Sequence, residues 1–195
     1  MLKIGITGGI GSGKTTACKQ FAVLGIPTYY ADAEAKRLML QDKTLVDQIK
    51  KVFGKEAYLE SGALNRKHIS AIAFSNKSKL AILNALVHPA VGKDVLRWFS
   101  AQKNCPFALQ EAALMYESGS YKKLDYIIAV TAPVDIRVAR VMKRDGIREK
   151  EVLSRINNQM DEQEKVRRAD FVIYNDPNHN LMQQVVHIYH QISVL

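Results

Sequence analysis

The first 25 residues leave the chain little structural choice. Leu2-Lys3-Ile4-Gly5-Ile6-Thr7 alternates apolar side chains as a short strand does. It runs into Gly8-Gly9-Ile10-Gly11-Ser12-Gly13-Lys14-Thr15, a complete G-x-x-x-x-G-K-[ST] loop. Ala17, Phe21 and Leu24 then recur at i, i+4 and i+7, a helical stripe closed by Gly25. Strand, glycine-rich loop and helix in this order turn successive backbone N–H groups inward around a polyphosphate, and the helix adds its positive end. Gly9, Gly11, Ser12, Gly13, Lys14, Thr15 and Thr16 are therefore the expected nucleotide-binding residues. Lys14 reaches the β- and γ-phosphates, and the Thr15 hydroxyl ligates Mg²⁺.

The rest of the composition narrows the partners. A chain of 195 residues, 47% apolar, can bury one proper core. It holds no run of 18 apolar residues, so no membrane span is expected, and it begins on the strand itself, so no leader is expected either. Cys18 and Cys105 lie far apart in apolar surroundings, which suggests reduced thiols and a cytoplasmic protein. The formal charge of +9 suits either nucleic acid or two anionic substrates. Between Arg137 and Arg168, ten Lys/Arg are mixed with six Asp/Glu on helical patterns, and no aromatic–basic interleaving is visible. Small anionic substrates fit this better than nucleic acid.

Five apolar segments read as buried strands: 2–7, 26–30, 106–112, 126–131 and 171–174. Helical patterns separate them, which predicts an α/β fold with a parallel sheet and a site at the strands' carboxyl ends. Residues 1–34, 101–134 and 169–195 are expected to build this core. Residues 35–100 carry helical stripes at Leu45/Ile49/Val52/Phe53, Ile69/Ile72/Ala73, Leu80/Leu83/Val87 and Val91/Val95/Trp98/Phe99, with a break expected at His88-Pro89. This insertion is large enough for a second substrate. Residues 135–168 place Arg137, Arg140 and Arg144 at i, i+3 and i+7 before Asp145-Gly146, and Arg148 and Arg155 follow. Such basic, hinged helices suit a lid whose arginines meet a transferring phosphoryl group.

Phosphoryl transfer also needs somewhere for the acceptor's proton to go. Asp32, two residues past the second strand, is placed for that, or else caps the next helix. Glu111 ends the third strand and is the candidate for touching Mg²⁺ through water. His88 is a candidate for a substrate oxygen, and no histidine has zinc-like spacing with cysteines or acids.

These residues resemble the dephospho-CoA kinases. The resemblance is carried by Thr7–Thr16, Phe21…Leu24-Gly25, Ala31-Asp32, Leu64-Asn65-Arg66, His88-Pro89, Leu114…Glu117, Arg140 with Arg144-Asp145, Arg155 with Gln159, and Ala169–Ile173…Asn175. It implies a P-loop NTPase fold in three layers with a helical CoA domain and a lid. It further implies ATP-dependent phosphorylation of the ribose 3′-hydroxyl of dephospho-CoA, by a monomer or weak homo-oligomer. Asp32 takes the place of the family's proposed base, Arg140 and then Arg144 and Arg155 those of its lid arginines, and Asn175 falls in the region lining adenine. Arg66 and His88 join Arg155 as substrate-side residues. The chain departs from the family at Tyr30, where an Asp is usual, and at Pro177, where a Gly is usual. Ala113-Leu114-Met115 stands for Pro-Leu-Leu, and Lys36 stands for an arginine.

The nearest alternative is a kinase of another small acceptor, such as a nucleoside or nucleotide. A GTP-dependent switch needs an Asn/Thr-Lys-x-Asp element, and the closest string, Lys122-Lys123-Leu124-Asp125, lacks its leading residue.

Overall fold

The computed structural model describes residues 1–75 and 77–195, with the side chains of 73–75 and 77 left aside. Ala73, part of one predicted stripe, therefore has its side chain outside the described set. The chain divides into two compact units, one of Met1–Tyr30 with Phe99–Leu195 and the other of Ala31–Trp98.

The first unit is built on five parallel strands: β1 (Leu2–Thr7), β2 (Thr28–Tyr30), β3 (Phe107–Glu111), β4 (Tyr126–Thr131) and β5 (Phe171–Tyr174), in the order β2-β3-β1-β4-β5. Two strands are shorter than the sequence predicts: the Pro27 and Pro106 carbonyls accept the Leu109 and Leu2 N–H groups, but proline has no N–H to extend the ladder. On one face Ile4, Ile6, Phe107, Leu109, Ile128, Val130 and Ile173 pack against α1 (Lys14–Val23) and α9 (Leu181–Ser193). Phe21 and Phe107 meet edge to face at 6.1 Å. Each such fully buried side chain contributes about 1.5–3 kcal/mol. On the opposite face Gly5 keeps β1 bare: a Cβ there would come within 2.5 Å of Met115 Sδ. The outer rim at β5 is closed by one side chain. Gln184 Oε1 accepts the Tyr174 N–H and its Nε2 donates to the Tyr174 carbonyl, both at 2.9 Å.

The remaining helices of this unit are α6 (Val134–Asp145), α7 (Glu149–Asn157) and α8 (Glu162–Arg168). Gly146 stops α6 in the left-handed conformation (φ 66°), as Asp145-Gly146 predicts. Asp161 caps α8 by accepting the Glu164 N–H at 3.1 Å.

The second unit is helical: α2 (Ala31–Gln41), α3 (Lys43–Phe53), α4 (Arg66–Ser75) and α5 (Lys77–Ala101), the last crossing into the first unit. Leu45, Ile49 and Phe53 bury the predicted stripe of α3 against Leu38, Ala57, Ile69 and Val87. Asp42 caps α3 through the Leu45 N–H, and Tyr58 Oη donates to the Met39 carbonyl at 2.7 Å. The predicted break at Pro89 is not there. Helix α5 continues through Pro89, and apolar residues before and after it, Val87 and Val95, are both buried. Packing on both sides of the proline outweighs the lost N–H bond and the ring clash, a cost of about 3 kcal/mol. Among the described residues no helix is long and apolar enough to cross a membrane.

Candidate active site

Because all five strands run one way, their carboxyl ends share an edge. Register sets Tyr30 opposite Glu111, Glu111 opposite Ile6, and Thr131 opposite Tyr174. Strand β1 is central, and its end at Thr7 opens into the glycine loop. Lys122–Asp125 sits at the other edge, where Asp125 Oδ2 accepts the Lys3 N–H at 2.6 Å, so this string is structural.

The loop is wrapped on itself. Ser12 N–H donates to Gly9 O at 3.1 Å, and Lys14, 9% exposed, lays its ammonium across the Gly8 and Gly9 carbonyls at 3.0 and 3.3 Å. The outer carbonyls are taken by side chains from distant elements. Arg137 Nε donates to Ile10 O at 3.0 Å, Arg140 Nη1 to Gly11 O at 3.4 Å, and Asn175 Nδ2 to Ser12 O at 2.8 Å. Arg140 Nη2 also donates to the Asn175 carbonyl at 3.0 Å, joining α6 to the end of β5. Gly13 sits at φ 91°, and a Cβ on it would overlap Asn175 Nδ2. Only glycine lets Asn175 close on the loop.

What remains is a set of donors. The Gly11, Gly13 and Thr15 N–H groups make no hydrogen bond among the described residues. They lie at the amino end of α1, beside the Lys14 ammonium. Buried hydroxyls at Thr7 and Ser12 have no partner there either. Thr15 and Thr16 are exposed, and the Thr15 hydroxyl is unengaged among the described residues. Orphan amides, a lysine and a helix N-terminus together form an anion site.

Glu111 is buried at the end of β3. Burial pushes the Cys18 thiol well up, the Glu111 charge adds to this and Lys14 opposes it, so both charges act on Cys18 in α1. Burial, Cys18 and Glu111 likewise raise the Tyr30 phenol. Tyr30 therefore meets this acidic neighbourhood as a neutral hydroxyl. Among the described residues no group of three or more His, Cys, Asp or Glu is arranged to hold a metal ion. The expected magnesium ligands, Thr15 and Glu111, would be a sparse donor set, of the kind that leaves most of the coordination to phosphate and water.

The profile of the dephospho-CoA kinase family matches residues 2–180. The chain belongs to the dephospho-CoA kinase family. It is 35% identical over 188 residues to the dephospho-CoA kinase of Bacteroides fragilis, covering 96% of this chain and 91% of that one. A crystal structure of TT1252 from Thermus thermophilus superposes with a TM-score of 0.86 at 32% identity, covering 97% and 96% of the two chains. The dephospho-CoA kinase from Campylobacter jejuni gives 0.72 at 26%, covering 98% and 97%. The fold is thus that of a P-loop kinase of the dephospho-CoA kinase family.

The arginine stripe expected on one face of α6 splits three ways. Arg137 is 2% exposed and braces the loop, so it cannot meet substrate as a lid residue. Arg140 is half-buried at the loop's edge. Arg144 and Arg155 are exposed and share Asp145 at 2.7 and 3.0 Å. Asn175 spends its side-chain amide on the loop carbonyl. In the second unit, Asp32 is exposed in the first turn of α2, inside the helix rather than capping it. Arg66 is exposed at the start of α4 and His88 is exposed on α5. Desolvation by neighbouring atoms still holds the His88 imidazole below its ordinary pKa. Arg37, beside the departure at Lys36, is committed to Glu34 and to Asp94 at 2.8 Å.

Two residues at the loop were not foreseen as site residues. Gln159 entered only as a motif match and Glu162 only as one acid among six. Their signal is the loop itself: Gly9 and Ile10 carry N–H groups that need acceptors.

Proposed function

We propose that this chain transfers the γ-phosphate of ATP to the ribose 3′-hydroxyl of dephospho-CoA, giving coenzyme A. The observation that carries the reading is the loop's division of labour: carbonyls at Ile10, Gly11 and Ser12 are covered by Arg137, Arg140 and Asn175, while the Gly11, Gly13 and Thr15 amides are left for an anion. A polyphosphate in that concavity meets oriented donors and a buried lysine, the preorganised electrostatics that phosphoryl transfer depends on.

The Gly11, Gly13 and Thr15 amides hold the triphosphate, with Gly9 shaping the turn, Ser12 and Thr16 beside them, and Lys14 moving from the loop carbonyls to the phosphates. Thr15, and Glu111 through water, would hold Mg²⁺, which when bound neutralises charge on the phosphate oxygens. Asp32 accepts the proton of the attacking hydroxyl; its place at the start of α2, directly after β2, supports this role. Arg140 meets charge on the transferring group from the edge of the loop, and Arg144 and Arg155 do so from the tip of a lid spanning 135–168. Residues 35–100 act as the acceptor domain, with Arg66 and His88 on the CoA side. Asn175 shapes the adenine end of the site through its hold on Ser12. The chain works as a monomer or weak homo-oligomer, in the cytoplasm.

The test is a coupled ADP-release assay with dephospho-CoA and a panel of nucleosides and nucleotides, on the parent and on Asp32→Asn. Expected are activity on dephospho-CoA and a loss of about 10²–10⁴ in kcat for Asp32→Asn with ATP binding kept. Activity on a nucleotide alone overturns the acceptor assignment. A variant that loses ATP binding and keeps its rate at saturation overturns the base.

A further inference from the structure

Covering carbonyls is half of what the surrounding helices do to the loop. Glu162 Oε2 accepts the Gly9 N–H at 2.9 Å, and Gln159 Oε1 accepts the Ile10 N–H at 2.9 Å. The two acceptors flank Asp161, the cap of α8, and reach the loop from about 150 residues away in sequence. Arg137 Nη1 pairs with the same Glu162 oxygen at 3.3 Å, while its Nε holds Ile10 O. Ile10 thus has both its N–H and its C=O bound outward. A Cβ on Gly9 would overlap Arg137 Nη2 and Glu162 Oε2, so this fit exists only with glycine there.

Peptide groups are planar, so fixing an N–H fixes the carbonyl behind it. With the Gly9 and Ile10 amides drawn outward, neither peptide can rotate into the concavity, and Gly11, Gly13 and Thr15 are left facing an anion. We propose that Gln159, together with Glu162, is a positioning residue for the triphosphate. It touches no phosphate. It holds the first half of the loop in the conformation that makes the second half a binding site, so the cost of ordering the loop is met before nucleotide arrives. The inference rests on reading the loop as the ATP site.

The discriminating variant is Gln159→Met, which keeps the side chain's length and removes the acceptor from Ile10. Gln163→Met makes the same chemical change at an exposed position of α8 and serves as the control. Isothermal calorimetry of ATP binding is expected to give a dissociation constant raised about tenfold for Gln159→Met, the loss of roughly one hydrogen bond's worth of preorganisation, and no change for Gln163→Met. Steady-state kinetics should raise KM for ATP and leave KM for dephospho-CoA at the parent value. A merely structural role would lower the unfolding midpoint without selecting between the two substrates. Equal ATP affinity in parent and Gln159→Met, or equal weakening toward both substrates, overturns the proposal. A parent that gives no heat with ATP overturns the loop assignment, and the proposal with it.

Discussion

The base and the tip of the segment from α6 to α8 have much the same composition and opposite fates. At the base, Arg137, Gln159 and Glu162 are spent on the phosphate loop, and Lys165, fully buried, donates to the Ala113 carbonyl at 3.0 Å and pairs with Glu117 at 3.2 Å. At the tip, Arg144 and Arg155 are 62% and 49% exposed and, among the described residues, paired only through Asp145. An exposed ion pair is worth about 0–1 kcal/mol, whereas removing one partner from a buried pair leaves an uncompensated charge. The same residue type is architecture at one end and available chemistry at the other. Depth decides which.

Three substitutions set the two ends against each other. Arg137→Ala leaves Glu162 without its cation and should cost about 3–5 kcal/mol, read as a fall in the thermal unfolding midpoint. Lys165→Met should cost less, about 2 kcal/mol at neutral pH, because Glu117 is a quarter exposed and keeps the Met160 N–H at 2.8 Å. Its pH dependence has a definite sign. Burial pushes the Glu117 carboxyl up, but the Met160 and Glu117 N–H groups and the Lys165 ammonium outweigh it and hold the pKa below the ordinary value. A depressed carboxyl stabilises the fold above its unfolded pKa and loses that contribution as pH falls through the folded one. The gap between parent and Lys165→Met should thus be full near pH 7 and close below about pH 4, followed by unfolding titrations. Arg144→Ala should leave the unfolding midpoint unchanged while slowing turnover several-fold. If it costs as much stability as Arg137→Ala, the distinction between base and tip fails.

Much of this was legible in the sequence because it is written locally. Alternation in 2–7, the apolar runs of 107–111 and 126–131, and the helical stripe at Leu45, Ile49 and Phe53 each state their own burial. The phosphate loop states its own conformation through Gly13. The arginines of α6 were harder, since an i, i+3, i+7 spacing gives their angular positions and says nothing about depth. Arg137 lies one turn into α6 against the loop, while Arg144 lies in its last turn beside solvent. Pro89 misled for a related reason: the local preference is to break, and burial on both sides decides otherwise. Gln159 and Glu162 were out of reach, because the amides they serve are some 150 residues away.

The bonds from Gln184 to Tyr174 have a bearing on how this protein behaves at high concentration. A primary amide offers one donor and one acceptor at the spacing of a peptide group, so this glutamine impersonates the next strand of the ladder at the carboxyl end of β5, one of the sheet's two edges. A molecule adding a strand to that border has first to displace the glutamine from Tyr174.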